Sequence, residues 1–269
     1  MKRSRARRLR GFSLLELLTA AAIFMVLCGA AFGLLAVCQN SYRTESQVLN
    51  SFQEARLGLD QIVRDVNIAG YPPPGQFSNN PANANNFAIT PVAWPSGSGY
   101  PATACLIGGG CSTPSDFDLI IESDVDSQQE AVNGLPQSVE WVRYQLQGTT
   151  LFRGVAEKDA TQDPDATTLP VLVPFVQNVM NNAPAAQIAQ LQAIYPDMFP
   201  TGGPVPIFTY LCDDSGTVNK CASSGSNSPM NVRDVEITLI VATPQPDATT
   251  GRPRLVVLNG RGHRINPNQ

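Results

Sequence analysis

Apolar and charged positions divide the start of the chain into distinct stretches. Residues 1–11 carry six Lys and Arg side chains and no acid, whereas residues 12–37 are apolar with Glu16 as their single ionised side chain. A helix over 12–37 would reach about 39 Å, more than the ~30 Å hydrocarbon core of a bilayer. The pattern therefore predicts a membrane-spanning helix whose basic end stays in the cytoplasm.

Beyond residue 38 the pattern stays helical but becomes amphipathic. Apolar residues recur at alternating spacings of four and three at Val48, Phe52, Ala55, Leu59, Ile62, Val66 and Ala69. This spacing places them on one face of a helix. Gly70 and the three prolines that follow Tyr71 are typical of a helix end. We expect one continuous helix over 12–70, with residues 38–70 packed against a sheet.

Short segments rich in β-branched and aromatic residues follow, separated by turn residues. They predict strands over 117–122, 139–147, 150–155, 207–211, 235–242 and 255–258. Gly148, in the short turn between two of them, indicates a hairpin. The predicted fold class is α+β: a long hydrophobic N-terminal helix packed by its C-terminal half on an antiparallel β-sheet head over residues 71–269.

Two parts of the head lack strand character. No charged residue occurs between residues 66 and 115, and the stretch is rich in Pro, Asn, Gly and Ser. Residues 71–115 are therefore predicted to form a long surface loop, which is either a variable loop, the better-supported interpretation, or a contact surface. Residues 180–204 interrupt the strands with a predicted helix over 185–194, and we interpret them as an insertion.

Glu16 needs an explanation, because a carboxylate in a membrane helix costs about 2.5–3.5 kcal/mol on insertion scales. If the chain is cut between Gly11 and Phe12, a new α-amino group appears one helical turn away. Its reference pKa of about 7.7–8.0 leaves it mostly charged at neutral pH. That ammonium group is a suitable counter-ion for Glu16.

Simpler interpretations explain this segment less well. A secretory signal has an apolar core of about 7–15 residues, shorter than this one and without an acid. A lipoprotein signal would place the large Val37 before Cys38. A plain signal anchor fits the length and orientation but leaves Glu16 unexplained. Gly29 and Gly33 have the spacing of a close helix contact, which only supports an assembly of helices.

The residues around the cut resemble a known signal. Gly11, Phe12, Ser13 and Glu16, at the head of a long apolar run, resemble the class III signal of type IV prepilins and type II secretion pseudopilins. In that family a membrane prepilin peptidase cuts after the glycine and methylates the new amino terminus. The glutamate then pairs with the terminal amine of a neighbouring subunit. The resemblance thus implies processing at Gly11 and Phe12 and assembly through Glu16 and Phe12.

Later stretches resemble a particular branch of this family. Residues 63–71 are similar to the helix end of PilW-type minor pilins, and residues 208–210 and 213–216 extend that likeness. Residues 142–146 with 151–153 are similar to a hairpin that PilW-type proteins share with the J-type minor pseudopilin of type II secretion. The 180–204 insertion departs from the pattern. The resemblance implies a minor subunit rather than a major one.

Partners and location follow from the same resemblance. The implied partners are prepilin peptidase, other pilin or pseudopilin subunits that pack through the helix, the inner-membrane assembly platform and the inner membrane itself. The implied location is a single pass through a bacterial inner membrane with a periplasmic head, followed by entry into a filament. The alternatives are a J-type type II secretion pseudopilin and, from another class, a signal-anchored periplasmic binding protein.

The six cysteines fall into two groups, Cys28 and Cys38 in the helix and Cys105, Cys111, Cys212 and Cys221 in the head. The helical pair would lie about 15 Å apart, too far to form a disulfide within one chain. In an oxidising periplasm two local disulfides are expected in the head, Cys105 with Cys111 and Cys212 with Cys221, although other pairings stay open. Neither pair has the short spacing of a zinc site.

Charge and composition argue against several functions. Of the 18 Lys and Arg, the leader holds six, so the mature chain sets 12 against 22 Asp and Glu, a formal net charge of −10. Nucleic acid is therefore not an expected partner. His263, the only histidine, is interpreted as a solvated tail residue. Asp213, Asp214 and Ser215 could bind calcium through their oxygen atoms, but an ordinary Asx turn is the commoner arrangement. We expect no enzyme, cofactor or metal.

Overall fold

The computed structural model describes residues 13–71, 88, 90–93, 107, 114–125, 139–158, 170–214, 216–221, 227–247 and 250–265. Its longest element is the helix α1, Leu14–Ile68. A helix of this length spans about 82 Å. The prediction of one continuous helix is confirmed over this range, while residue 12 lies outside the described residues.

The described part of the head contains nine strands, one further α-helix and a short 3₁₀ turn, in the order β1 (Val92–Ala93), β2 (Asp118–Ser123), β3 (Glu140–Gln147), β4 (Thr150–Glu157), β5 (Val173–Val176), α2 (Ala185–Ile194), β6 (Phe208–Asp214), β7 (Thr217–Lys220), the 3₁₀ turn (Pro229–Asn231), β8 (Val232–Ala242) and β9 (Leu255–His263). All six predicted strands are present with shifted ends. The strands β1, β5 and β7 were missed. Two of these, β1 and β7, are only two and four residues long, and β5 contains Pro174, which is unusual in a strand interior.

These strands form two antiparallel sheets rather than the single sheet expected. The first has the order β1-β2-β3-β4-β5 and the second the order β7-β6-β8-β9. The hairpin between β3 and β4 is confirmed, with Gln147 paired to Thr150 and Gly148 at a φ of +60° in the turn. The predicted fold class, a long helix on an antiparallel β head, is confirmed.

One hydrophobic core joins α1 to both sheets. The predicted stripe is buried at Ala55, Leu59, Ile62, Val66 and Ala69. Its earlier members, Val48 and Phe52, are half-buried. The stripe packs with large side chains of both sheets, including Trp141, Tyr144, Phe208 and Leu239. The C-terminal half of α1 is thus the central element of the head.

Two glycines on β9 let α1 approach the second sheet. A Cβ atom at Gly260 would lie 2.7 Å from Cδ1 of Leu59, and one at Gly262 would lie 2.4 Å from Cβ of Val66. Since alternate residues of a strand face the same side, both glycines face the helix. The sequence prediction ended this strand at Leu258. The structure extends it through both glycines to His263.

The 180–204 segment packs on a second hydrophobic cluster. Ile188 and Leu191 of α2, with Phe199, contact Ile240 and Ala242 of β8. Ile237, Leu239 and Val241 of the same strand belong to the α1 core instead. The strand β8 therefore carries α1 on one face and the inserted helix on the other, as its alternating side chains require. The predicted helix over 185–194 is present as α2.

Candidate functional site

The first half of α1 is apolar and uncovered. Between residues 14 and 43 every side chain is exposed except that of Cys28, which is half-buried. Leu14, Phe24 and Phe32 are 81%, 67% and 70% exposed. By length and composition, α1 is the one helix among the described residues that could cross a membrane. Such an apolar surface is stable only when lipid or other apolar helices cover it.

Glu16 lies at the start of this surface and closes a capping box. The backbone N–H of Ser13 donates to Oε2 of Glu16 at 2.9 Å, and the N–H of Glu16 donates to Oγ of Ser13 at 3.3 Å. This reciprocal pair satisfies two backbone donors at the helix start. Among the described residues, no cation lies within 4 Å of the Glu16 carboxylate. Within the described part of the chain this carboxylate is therefore hydrogen-bonded but not ion-paired.

The other predicted site residues are only partly described. Gly11 and Phe12, and the cysteines Cys105 and Cys111, lie outside the described residues. The structure joins Cys212 in β6 to Cys221 just after β7 by a disulfide, with their Cα atoms 4.9 Å apart. Cys28 and Cys38 are free thiols. Gly29 and Gly33 have open space where a Cβ atom would be, so this face of α1 makes no close contact with the described head.

A buried polar cluster connects α1 to the first sheet. Asp65 is only 2% exposed. Its Oδ2 accepts from the hydroxyl of Tyr144 at 2.5 Å and from Nη2 of Arg153 at 3.0 Å, and its Oδ1 accepts from Nε2 of Gln61 at 2.7 Å. Nε of Arg153 also donates to the Tyr144 hydroxyl at 2.9 Å. The carboxylate is thus fully hydrogen-bonded, as a buried charge must be.

The cluster also fixes the protonation of Tyr144. Burial, and then the neighbouring Asp65 carboxylate, raise the pKa of Tyr144 far above its usual range, against the opposing effect of Arg153. The hydroxyl therefore remains a donor to Asp65 at any physiological pH. The ring packs against Phe175, at 5.5 Å between ring centroids. The angle between the helix and the head is held by these polar contacts as well as by apolar packing.

A second buried ion pair lies within the first sheet. Nζ of Lys158 donates to Oε2 of Glu122 at 3.1 Å, and neither side chain is exposed. Nε1 of Trp141 donates to the other oxygen, Oε1, at 3.1 Å. Sequence reasoning missed both clusters. The position of Asp65 could have been recognised, because an acid three residues after Ile62 lies beside the apolar stripe of the helix. Lys158 follows a strand end, and nothing in the sequence around it indicates that it is buried.

His263 ends the strand β9 and does not lie in a tail, which corrects that part of the prediction, while its side chain is solvated as expected, with 53% of its surface exposed. Its Nδ1 lies 2.5 Å from Oδ1 of the buried Asp234, whose Oδ2 accepts from Nη2 of Arg261 at 2.6 Å. Burial raises the pKa of Asp234, but the hydrogen bonds from Arg261 and His263 outweigh it and lower that pKa overall. The histidine belongs to a structural ion cluster on the second sheet.

Asp213 is engaged within the chain. Its Oδ1 accepts from the backbone N–H of Gly216 at 2.9 Å, three residues on rather than the two of the predicted Asx turn, and its Oδ2 accepts from Nη1 of Arg233 at 2.9 Å. Ser215 lies outside the described residues. In the part of the chain that the structure describes, no three His, Cys, Asp or Glu side chains group to hold a metal ion.

Comparison with known proteins identifies the N-terminal segment. Residues 6–32 match the family model for the prokaryotic N-terminal methylation motif. The match includes Gly11, Phe12 and Glu16 but covers only about a tenth of the chain. No curated protein matches the sequence. A type IV-like pilin from Thermus thermophilus is similar in structure, with 11% identity, a TM-score of 0.40, and coverage of 81% of this chain and 98% of that one. That likeness is too low to bear on function.

Proposed function

We propose that this protein is a minor type IV pilin of the PilW-like kind, a structural subunit that is incorporated into a type IV pilus or primes its assembly. The observation that carries the proposal is the methylation motif over 6–32, which coincides with the uncovered apolar half of α1. A chain that had this motif but no long, uncovered apolar helix could not pack into the core of a filament. Here both are on the same segment.

Assembly would start with processing in the membrane. The basic leader keeps the N-terminus in the cytoplasm, and prepilin peptidase cuts between Gly11 and Phe12. The cut removes six positive charges and creates an ammonium group on Phe12. The Ser13–Glu16 capping box would remain in the processed chain, because both of its residues follow the cut. The helix start is therefore already ordered when a neighbouring subunit approaches.

Glu16 would then neutralise the ammonium of Phe12 on an adjacent subunit. In the described chain only one of its carboxylate oxygens, Oε2, accepts a hydrogen bond, so Oε1 is available to a second molecule. Burial of both charges in an apolar filament core costs several kcal/mol for each ion unless they pair. A subunit out of register would leave both charges unpaired, so the pairing selects the register of the helices.

The polar cluster around Asp65 would hold the head at a fixed angle on its helix. Helix and head are joined by hydrogen bonds and by the glycine contacts of β9, so the head follows the helix into the filament. A loosely tethered head would not present a defined surface to neighbouring subunits. This rigidity supports a structural role.

Variants of Glu16 test the proposal. In cells that lack the native copy, Glu16→Val should accumulate normally in the membrane and fall at least about tenfold in sheared filaments, since loss of a buried ion pair costs about 3–5 kcal/mol. Glu16→Gln is the matched variant, because its amide oxygen can still cap Ser13 but carries no charge. It should assemble as poorly as Glu16→Val.

Two results would overturn this assignment. Normal incorporation of Glu16→Gln would mean that the residue acts only as a helix cap. Normal incorporation of both variants would remove the pairing altogether. Thr19→Val controls for lost polarity in the same helical turn, since its hydroxyl donates only to the Glu16 carbonyl at 3.0 Å. It should assemble like the unchanged protein.

A minor pseudopilin of type II secretion is the second candidate. The N-terminal motif occurs in both kinds of protein, and the hairpin of residues 142–146 and 151–153 resembles both. Deletion of the gene distinguishes the two. Loss of surface pili with intact protein secretion supports the pilus, whereas retained enzymes in the periplasm and normal pili support the secretion machine. A signal-anchored binding protein would affect neither and would keep residues 1–11.

A further inference from the structure

A cleft of about 690 Å³ lies where the short 3₁₀ turn Pro229–Asn231 meets the end of β9. Its lining includes Asp213, Ser228, Asn231, Arg233, His263 and Arg264. Its volume is within the range of small-molecule sites. Met230 and Ile265 complete the described lining, which is therefore mixed, but its two guanidinium groups distinguish its chemistry from that of the apolar α1 surface.

Arg264 is the unusual residue of this cleft. It is only 7% exposed. Its Nη1 donates to the carbonyl of Met230 at 3.1 Å, while its buried Nε has no hydrogen-bond partner among the described residues. Burial lowers the pKa of the Arg264 guanidinium, and no neighbouring acid opposes that effect. An arginine still remains charged at neutral pH, so this buried cation lacks a counter-ion among the described residues.

The other shielded arginines in the described part of the chain are paired. Arg143, Arg153 and Arg233 are partly buried, and each forms an ion pair with an aspartate at 3.0 Å or less. Among the described arginines that are not exposed, Arg264 alone has no such partner. A buried charge without a partner is costly, which is why it indicates a ligand.

Arg264 does not serve to cap α1 either. Its Cδ lies close to Gly70, at the end of that helix. However, the last carbonyls of the helix accept from other groups: that of Asn67 accepts from the N–H of Ile265, and that of Ile68 accepts from Oγ of Ser123. The guanidinium thus has no structural task at the helix end that would explain its burial.

We propose that this cleft binds a carboxylate group, held by the guanidinium of Arg264 with Arg233 and Ser228 beside it. The planar fork of an arginine matches the two oxygens of a carboxylate. A single negative charge fits best, because Asp213 already neutralises Arg233 at 2.9 Å, which leaves Arg264 as the one unpaired guanidinium among the described lining residues. A phosphate dianion would bring excess negative charge beside the Asp213 carboxylate.

Two sources of carboxylate share this chemistry, a free organic acid and an Asp or Glu side chain of another protein molecule. Succinate and N-acetyl-glutamate N-methylamide represent them as probes. The assignment does not depend on filament assembly, since it concerns the head alone. Failure of the Glu16 experiment would leave it untouched, and failure of carboxylate binding would leave the proposed function untouched.

The test is a titration of the full-length protein in detergent, labelled with ¹⁵N at arginine, at constant ionic strength. We expect the Nε–H signal of Arg264 to shift saturably with at least one of the two carboxylate probes and at least about tenfold more weakly with inorganic phosphate or chloride. The probe that binds more tightly identifies the source. No saturable shift with either probe, or tighter binding of phosphate, would overturn the proposal.

Variants separate this site from general anion binding. Arg264→Lys keeps the charge but loses the fork, and should weaken carboxylate binding about tenfold or more, as measured by calorimetry. Arg233→Gln is the second variant, since its half-exposed side chain can change even where Arg264→Lys fails to fold, and it should also weaken binding. Arg254→Gln removes a similar Asp–Arg pair, with Asp247, outside the cleft, and should have no effect. If Arg233→Gln and Arg254→Gln bound the carboxylate probe with equal affinity, the proposed site would be wrong.

Discussion

The hydroxyl of Tyr144 lies 2.5 Å from Oδ2 of Asp65, although 79 residues separate the two in sequence. This contact joins the middle of β3 to the last turn of α1. Arg153, on the neighbouring strand β4, completes it from the other side. Apolar packing alone would allow α1 to rotate slightly about its axis and still keep most of its apolar stripe buried. The hydrogen bonds of Asp65 fix that rotation.

Removal of that acid should destabilise the head. Asp65→Asn leaves the Arg153 guanidinium, whose side chain is 24% exposed, without its carboxylate. We expect a loss of about 2–4 kcal/mol in the free energy of unfolding, less than for a fully buried pair because water reaches Arg153. Chemical denaturation of the full chain in detergent, followed by tryptophan fluorescence, measures it.

The matched control for that change is Asp60→Asn, an exposed acid on the same helix. Surface substitutions of this kind change stability by less than about 0.5 kcal/mol. Equal effects of the two variants would show that the Asp65 cluster does not hold the helix to the head.

The close approach of α1 to β9 gives a second expectation. A Cβ atom at Gly262 would lie 2.4 Å from both Cβ and Cγ1 of Val66. Gly262→Ala should therefore cost about 1–3 kcal/mol, because the helix must shift away from the strand. Thermal unfolding should show this as a lower Tm.

Gly203→Ala is the comparison for this substitution. Its Cβ would meet only Oγ1 of Thr201, at 3.7 Å, an ordinary contact distance. We expect a change within about 0.5 kcal/mol. If Gly262→Ala were equally harmless, the glycines of β9 would not be required by the helix contact.

The ion cluster at Asp234 should make the head sensitive to acid. The folded-state pKa of this carboxyl is lowered, so as pH falls the unfolded chain binds the proton first and folding loses stability. Asp234→Asn should cost about 1–3 kcal/mol at neutral pH, since it leaves Arg261 and His263 without their carboxylate. This cost should persist above about pH 5 and shrink below about pH 4.

Unfolding curves between pH 3 and pH 7 measure that difference directly. Asp197→Asn, an exposed acid with no ion pair in the described part of the chain, should show no such pH dependence. A constant difference between Asp234→Asn and the unchanged protein over this range would contradict the role assigned to the carboxylate.

The sequence predicted the elements better than their arrangement. The regular spacing of apolar residues over 48–69 identifies the buried face of α1 directly, because helix periodicity is a local property. Strand patterns reveal where a strand lies but not which strand it pairs with. The division into two sheets was missed for that reason, whereas the strand β5 was missed because Pro174 is unusual in a strand interior.

Among the site residues, too, those that are contiguous in sequence could be predicted and those that only folding brings together could not. The motif at Gly11, Phe12 and Glu16 is contiguous and can be recognised from the sequence alone. Asp65, Tyr144 and Arg153 converge only after folding, and nothing in their local sequence links them. His263 and Arg264 were hidden because β9 reads as ending at Leu258, so both fell in an apparent tail.

The amino terminus of the protein from its native membrane tests the central claim most directly. Intact-mass and peptide mass spectrometry should find a chain that begins with N-methylated Phe12, and the same protein from a host without prepilin peptidase should retain residues 1–11. A mature chain that still carries Met1 or the arginines of the leader in the native host would contradict it, since Glu16 would then have no ammonium group to meet.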